Sequence, residues 1–288
     1  LNFIIKLKWI SSNSGVTYSR ILHTKMSATT VVINGAEVPV EYPSNTNGPA
    51  RLEAIMNAPK VQDWFKRVSP ELLISKVTIT GDTTFGKNVL FVHLNMTCID
   101  RASGKSLAGI VFLRGSAVTC LVLIRDKSTG KLYYAKVKQP RVPVGKWIWE
   151  LPAGMFELRA DGQGKMAKTQ MIVELKEELG IEIDTTGVKM DDPKQQFNYM
   201  EKLGVFYPSP GGCDEEITTY WFQVEMTTEE IAALHGKSIA NDAGHCTEII
   251  QVGIEELTLG NLAALGDAKA MCTLVQLVAK YPGFVSGF

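Results

Sequence analysis

Glu174, Glu177 and Glu178 stand at i, i+3 and i+4 in the stretch ELKEELGI, Glu174 to Ile181. On an α-helix that spacing puts three carboxylates on one face. Ile172, Leu175 and Leu179 form the opposite, apolar stripe. Gly180 stands where a helix C-terminus takes a left-handed residue, and Ile181 resumes an apolar run. Carboxylates this close repel one another, and a hard divalent cation relieves the repulsion. Mg²⁺ takes oxygen ligands, keeps several waters and shares its shell with substrate phosphates. Taken alone, the stretch also reads as a solvated acidic helix face.

The context favours the metal. ELPAG lies upstream at Glu150–Gly154, and SPGGCDEE lies downstream at Ser209–Glu216. The set resembles the Nudix hydrolases, whose signature is G-x5-E-x7-R-E-U-x-E-E-x-G-U, with U apolar. Within that family it is most similar to the nucleoside-diphosphate-sugar pyrophosphatase branch, of the plant ADP-sugar type. The resemblance runs from roughly Val31 to the C-terminus. It implies an α+β fold with a mixed β-sheet between helices, and an N-terminal β-rich domain used in homodimerisation.

The resemblance also implies roles. Glu174 and Glu178 are the main metal ligands, Glu177 joins directly or through water, and the backbone carbonyl of Ala153 is a further ligand. Mg²⁺ is the expected cofactor, with Mn²⁺ as an alternative. Arg141, in QPRVPVG, matches the arginine that grips the substrate diphosphate, and a guanidinium suits two phosphate oxygens at once. Arg114, opening the central strand, is a second candidate for substrate. Glu215 aligns with the general base after SPGG. Asp214 and Glu216 are close alternatives, and Glu177 is the next catalytic candidate. Two glycines suit a loop that moves on substrate binding.

The implied reaction is hydrolysis of the pyrophosphate bond of a nucleoside-diphosphate sugar, ADP-glucose or ADP-ribose. The alternatives are a UDP-sugar diphosphatase and a catalytically weakened nucleotide-sugar binder. The last draws on two departures from the signature. Its arginine is Val173 here, and its earlier glutamate falls on Lys165. In the family these two brace the loop and the helix. Losing both leaves no unpaired charge behind.

Composition narrows the partners. Lys plus Arg and Asp plus Glu are equal at 30 each among 288 residues, so no polyanion-binding surplus points to nucleic acid. The five cysteines, Cys98, Cys120, Cys213, Cys246 and Cys272, contain no C-x-x-C pair, which fits a reducing compartment. The four histidines make no metal spacing. No apolar run approaches the ~20 residues of a membrane span. These features imply a cytoplasmic protein without a membrane partner. Leu1–Thr30 qualifies that reading. It has no acidic residue and carries Lys6, Lys8, Arg20 and Lys25 among Ser and Thr. A transit peptide to plastid or mitochondrion, a disordered extension, and a true start at Met26 are the three readings.

Three divisions are expected: the extension 1–30, a β-rich dimerisation domain 31–113, and a catalytic domain 114–288. A hairpin turns at Asn34-Gly35. A helix follows over Leu52–Val68, interrupted at Pro59. Strands are expected at Leu72–Thr80, Asn88–Cys98, Leu107–Leu113, Ala117–Ile124, Leu132–Lys138, Trp147–Leu151, Gln195–Val205 and Ile217–Glu225. QPRVPVG is expected as an ordered loop. The acidic helix ends at Leu179, a short helix runs over Thr228–His235, and one amphipathic helix closes the chain over Ala263–Tyr281.

Overall fold

A computed structural model describes residues 4–6, 21–23, 25–44, 48–155, 167–181, 200–242 and 247–283. The chain forms two compact units, Leu1–Arg114 with Gly211–Asp214, and Gly115–Pro210 with Glu215–Phe288.

In the first unit, β1 (Ile4–Lys6) and β2 (Ile21–His23) form a small antiparallel pair. A six-stranded sheet contains β3 (Lys25–Ile33), β4 (Ala36–Ser44), β5 (Leu72–Phe85), β6 (Asn88–Asp100), β7 (Ser106–Leu107) and β8 (Ile110–Leu113). Asn34 and Gly35 take φ of 50° and 80°, the left-handed pair that a tight two-residue hairpin requires. Helices α1 (Gly48–Met56) and α2 (Pro59–Arg67) cover the sheet through Leu52, Ile55, Val61 and Phe65. Pro59 breaks the expected helix, because a proline cannot donate the interior hydrogen bond.

The second unit is built on β9 (Ala117–Asp126), where eight successive residues from Ala117 to Ile124 are buried. Strand side chains alternate between faces. Val118, Cys120, Val122 and Ile124 meet α3 (Ala167–Leu179), while Leu121 and Leu123 meet α5 (Leu259–Ala264) and α6 (Ala268–Lys280). A strand covered on both sides reads as a continuous apolar run, which is the run seen in the sequence. Its sheet also holds β10 (Leu132–Arg141), β11 (Lys146–Glu150), β12 (Ala153–Met155), β13 (Met200–Phe206), β14 (Ile217–Met226), β15 (Ser238–Asp242) and β16 (Thr247–Glu256). Strand β14 runs parallel to β9, and the other pairs are antiparallel. This is a mixed sheet between helices, the expected α+β arrangement. The remaining helix, α4 (Thr228–Leu234), begins with a capping box between Thr227 and Glu230.

Several expectations need correction. Strand β3 begins at Lys25, so Lys25–Thr30 pairs with β4 inside the stretch read as an extension. The strand expected over Leu107–Leu113 breaks at Gly109, where a Cβ would stand 2.0 Å from the Met96 carbonyl oxygen. QPRVPVG, expected as an ordered loop, is part strand: Gln139–Arg141 ends β10, and a 3-10 turn over Val142–Val144 leads to β11. The closing helix is two helices, parted at Gly266 (φ +65°) with Asp267 capping α6. Leu262, Ala270, Leu274 and Leu277 all enter one core, so the apolar spacing runs across the break. The sequence reading assigns no element to residues 236–262, where β15, β16 and the start of α5 lie. Lys165 and the stretches 157–164 and 185–194 lie outside the described residues.

Candidate active site

Helix α3 is composed largely of strong helix formers. Met171, Leu175 and Leu179, spaced four apart, are fully buried against β9. Each contributes roughly 1.5–3 kcal/mol of burial. Gly180, at φ +68°, ends the helix, and the Gly180 and Ile181 N–H groups donate to the carbonyls of Lys176 and Leu175.

The same packing sets the carboxylates. Glu178 is 3 % exposed and accepts hydrogen bonds from Gln139 Nε2 at 2.6 Å and the Ala153 N–H at 2.9 Å. Glu174, one turn earlier, accepts from Gln170 Nε2 at 2.5 Å and lies against Gly154 so closely that a side chain there would overlap it. Glu177 is exposed on the same helix. Burial pushes the Glu178 carboxyl up to about 8, and the Glu174 charge adds to this against the Ala153 N–H, Gln139 and Arg141.

Strand β12 is held on β9 by the pairs Ala153↔Thr119 and Gly154↔Val118. The Pro152 carbonyl accepts from Thr119 Oγ1 and Cys120 N–H. Before it, the Glu150 carboxylate is 7 % exposed and takes Arg141 Nε and Nη2 at 2.5 and 3.1 Å and Lys269 Nζ at 2.6 Å. Burial alone raises its pKa, but the Arg141 and Lys269 charges overcome that and hold it below the usual carboxylate value. Asp267 then joins α6 to the strand: Oδ1 accepts from Lys269 N–H and Oδ2 from Leu151 N–H.

The residues fit a hard cation. Two carboxylates face a strand whose glycine is kept bare for them, and the buried Gln170 Oε1 lacks a hydrogen-bond partner among the described residues. Glu174, Glu178 and the Ala153 carbonyl could hold such a cation, and Gln170 Oε1 could accept from a water on it. No group of three His, Cys, Asp or Glu side chains converges at metal-binding distance among the described residues. Two carboxylates, a carbonyl and waters match the Mg²⁺ habit of keeping part of its hydration shell.

The other expected residues have partners of their own. Arg141 is paired with Glu150 and contributes a charge felt at Glu178. Arg114 belongs to the first unit, where its N–H donates to Asp214 Oδ1 at 2.7 Å. Glu215 opens the returning part of the second unit. Its neighbour Glu216 accepts from Tyr207 Oη at 2.7 Å, and the Glu216 carbonyl accepts from the Ala117 N–H. Sequence reasoning missed Gln139, Gln170, Glu150, Asp267 and Lys269. Only Glu150, as the first letter of ELPAG, carried a local signal.

Comparison with known proteins follows this geometry. No family model matches the chain. Over 289 residues it is 29 % identical to Nudix hydrolase 14, chloroplastic, of Arabidopsis thaliana, spanning 92 % of this chain and 88 % of that protein. Over most of its length the chain is thus similar to a Nudix hydrolase. A second Nudix relative, putative nudix hydrolase 2 of Caenorhabditis elegans, is 41 % identical over 68 residues, 24 % of this chain and 28 % of that protein. Among solved structures it is similar to one titled as an ADP compounds hydrolase, with TM-score 0.46 and 12 % identity over 76 % of this chain and 98 % of that one. No helix among the described residues is long and apolar enough to cross a membrane.

Proposed function

We propose that this chain hydrolyses the pyrophosphate bond of a nucleoside-diphosphate sugar, ADP-glucose or ADP-ribose, giving a nucleoside monophosphate and a sugar 1-phosphate. The observation that carries the reaction is the buried Glu178 with the half-buried Glu174 against Ala153–Gly154. When bound there, Mg²⁺ or Mn²⁺ neutralises phosphate oxygens and acidifies a water. Glu174 and Glu178 fix the cation, and Gln139 and the Ala153 N–H fix Glu178. Arg141, steadied by Glu150, supplies positive charge for the diphosphate. The water oxygen bonds to phosphorus, the bridging P–O bond breaks, and the water's proton passes to Glu215. The sugar class rests on the SPGGCDEE and ELPAG pattern. The acid-free N-terminal stretch and the chloroplastic relative support delivery to an organelle.

A panel of nucleotide sugars, assayed with and without Mg²⁺ by release of phosphate through a coupled phosphatase, tests this reading. ADP-sugar turnover that vanishes with chelator is the expected result. Preference for UDP-sugars would move the substrate, and binding without turnover would favour the weakened binder, to which Val173 points.

A further inference from the structure

The hairpin of β10 and β11 carries a cation beside Arg141 that the reaction proposed so far does not use. In its register Arg141, the last residue of β10, lies directly opposite Lys146, the first residue of β11. Directly opposed residues of an antiparallel pair point to the same side of the sheet, with Cβ atoms roughly 4.5–5.5 Å apart. Gln139, two residues before Arg141, points to that side as well. Its Nε2 donates to Glu178 at 2.6 Å. Lys146 therefore shares the side of the sheet on which the carboxylates stand. The turn between the strands fixes its root. Val142–Val144 is a 3-10 turn containing Pro143, Gly145 takes φ 68°, and the Gly145 N–H donates to the Val142 carbonyl at 3.0 Å. Lys146 is exposed and forms no ion pair among the described residues.

We propose that Lys146 is a substrate-binding residue whose ammonium meets the diphosphate beside the guanidinium of Arg141. The inference rests on the reading of Arg141 as the residue that grips the diphosphate. The charges around the site leave a place for it. Glu150 takes both Arg141 and Lys269, so these three groups together leave a single positive charge. Glu174 and Glu178 offset a divalent cation. The diphosphate of a nucleotide sugar carries a negative charge on each phosphorus, so one charge remains for a further cation to meet. Lys146 is that cation by position. Arg141 presents Nε and Nη2 to Glu150 at 2.5 and 3.1 Å, which steadies its plane. An ammonium on a flexible stem adds an adaptable point charge beside that planar fork.

The test uses the full chain with Lys146→Ala, Lys146→Glu and Lys146→Arg, and with Lys127→Glu as a control in the turn at the far end of β10. Two quantities are read: kcat and KM for an ADP-sugar with Mg²⁺, and the Kd of ADP by calorimetry with Ca²⁺ in place of Mg²⁺. In Lys146→Ala, KM and Kd should rise about three- to tenfold with kcat within about threefold of wild type, the pattern of lost uniform binding. Lys146→Glu should raise both at least about tenfold, and Lys146→Arg should stay within about threefold of wild type. Added salt should weaken ADP binding to wild type more than to Lys146→Ala. Lys146 is exposed, so every variant should melt with wild type. Unchanged KM and Kd in Lys146→Glu would overturn the proposal, and so would an equal loss in Lys127→Glu. Failure of the underlying reading shows separately, without any change at Lys146. If wild type does not turn over ADP-sugars, or if Arg141→Ala leaves KM and Kd unchanged, the diphosphate site falls and this proposal with it.

Discussion

A Cβ placed on Gly154 would stand 1.8 Å from Oε1 of Glu174, so the glycine and the carboxylate share one space. Gly154 is needed for room, because it is not among the residues with positive φ. The clash falls on the end of a movable side chain. Gly154→Ala should therefore fold, with a stability loss within the ~1–3 kcal/mol typical of overpacking. Glu174 should be displaced, and turnover should drop on the order of 10²-fold with weaker Mn²⁺ binding by titration. Unchanged metal affinity would show that Glu174 is not a ligand.

Glu178→Gln keeps size and removes charge. Turnover should fall at least ~10²-fold, the scale of losing charge stabilisation at a reacting centre. Without metal the variant should melt no lower than wild type, since a neutral amide replaces a buried carboxylate repelled by Glu174. Glu177→Gln, at an exposed position, should cost less than Glu178→Gln. Near wild-type turnover of Glu178→Gln at saturating Mg²⁺ would sink the metal assignment.

Glu215→Gln should lower kcat by the ~10²–10⁴ of a lost general base, with KM and Mg²⁺ dependence near wild type. Glu216→Gln should cost less than about tenfold, ~1.4 kcal/mol of barrier, because its carboxylate is engaged with Tyr207. The reverse order would shift the register of the segment by one. If neither matters, Glu177 is the next candidate.

Acid should weaken the Glu150 junction. Its carboxyl titrates below its ordinary value of 4.5 in the folded chain. The stability it contributes is therefore full above that ordinary value and is lost as pH falls through the lower folded value. Glu150→Gln should cost ~1–3 kcal/mol at pH 7, less than a fully buried pair because Arg141 is 38 % exposed. Urea unfolding at pH 7 and below pH 4 should show the gap between wild type and variant closing in acid. A constant gap would count against the junction.

The first unit is proposed to carry a homodimer, following the family resemblance. Light scattering at micromolar concentration should give twice the chain mass of 31.6 kDa. A monomer would remove the dimer from this account.

How far the sequence foretold these features depends on the range of the interactions behind them. The helix of Glu174 and Glu178 was legible because spacing and a terminal glycine are local. So was β9, whose apolar run reflects two covered faces. Strand β16 was overlooked although Ile250, Val252 and Ile254 alternate, because polar residues between them dilute the pattern. Asp267 reads as a cap only once α5 and α6 are known to part at Gly266. Its second bond, to Leu151, spans 116 residues and leaves no mark in either stretch. Gln139 reaches Glu178 across 39 residues in the same way. Glu177 was grouped with the other carboxylates by spacing, yet which edge of a helix turns inward is settled by its packing partners.

The parallel pairing of β9 with β14 has a consequence for assembly in time. Ala117 meets Ile217 and Asp126 meets Met226, so every rung joins residues 100 positions apart. Helix α3 and strand β12 both lie within the stretch of chain that this pairing closes. Contacts of such long range impose their loop-closure cost before they return any stabilisation, and chains that depend on them fold slowly. The hairpin of β3 and β4 has no such delay. The sheet that carries the carboxylate pair is therefore expected to close late. In a pulse-labelling experiment, amide protection in β9 and α3 should rise together, after that of the first unit's hairpin.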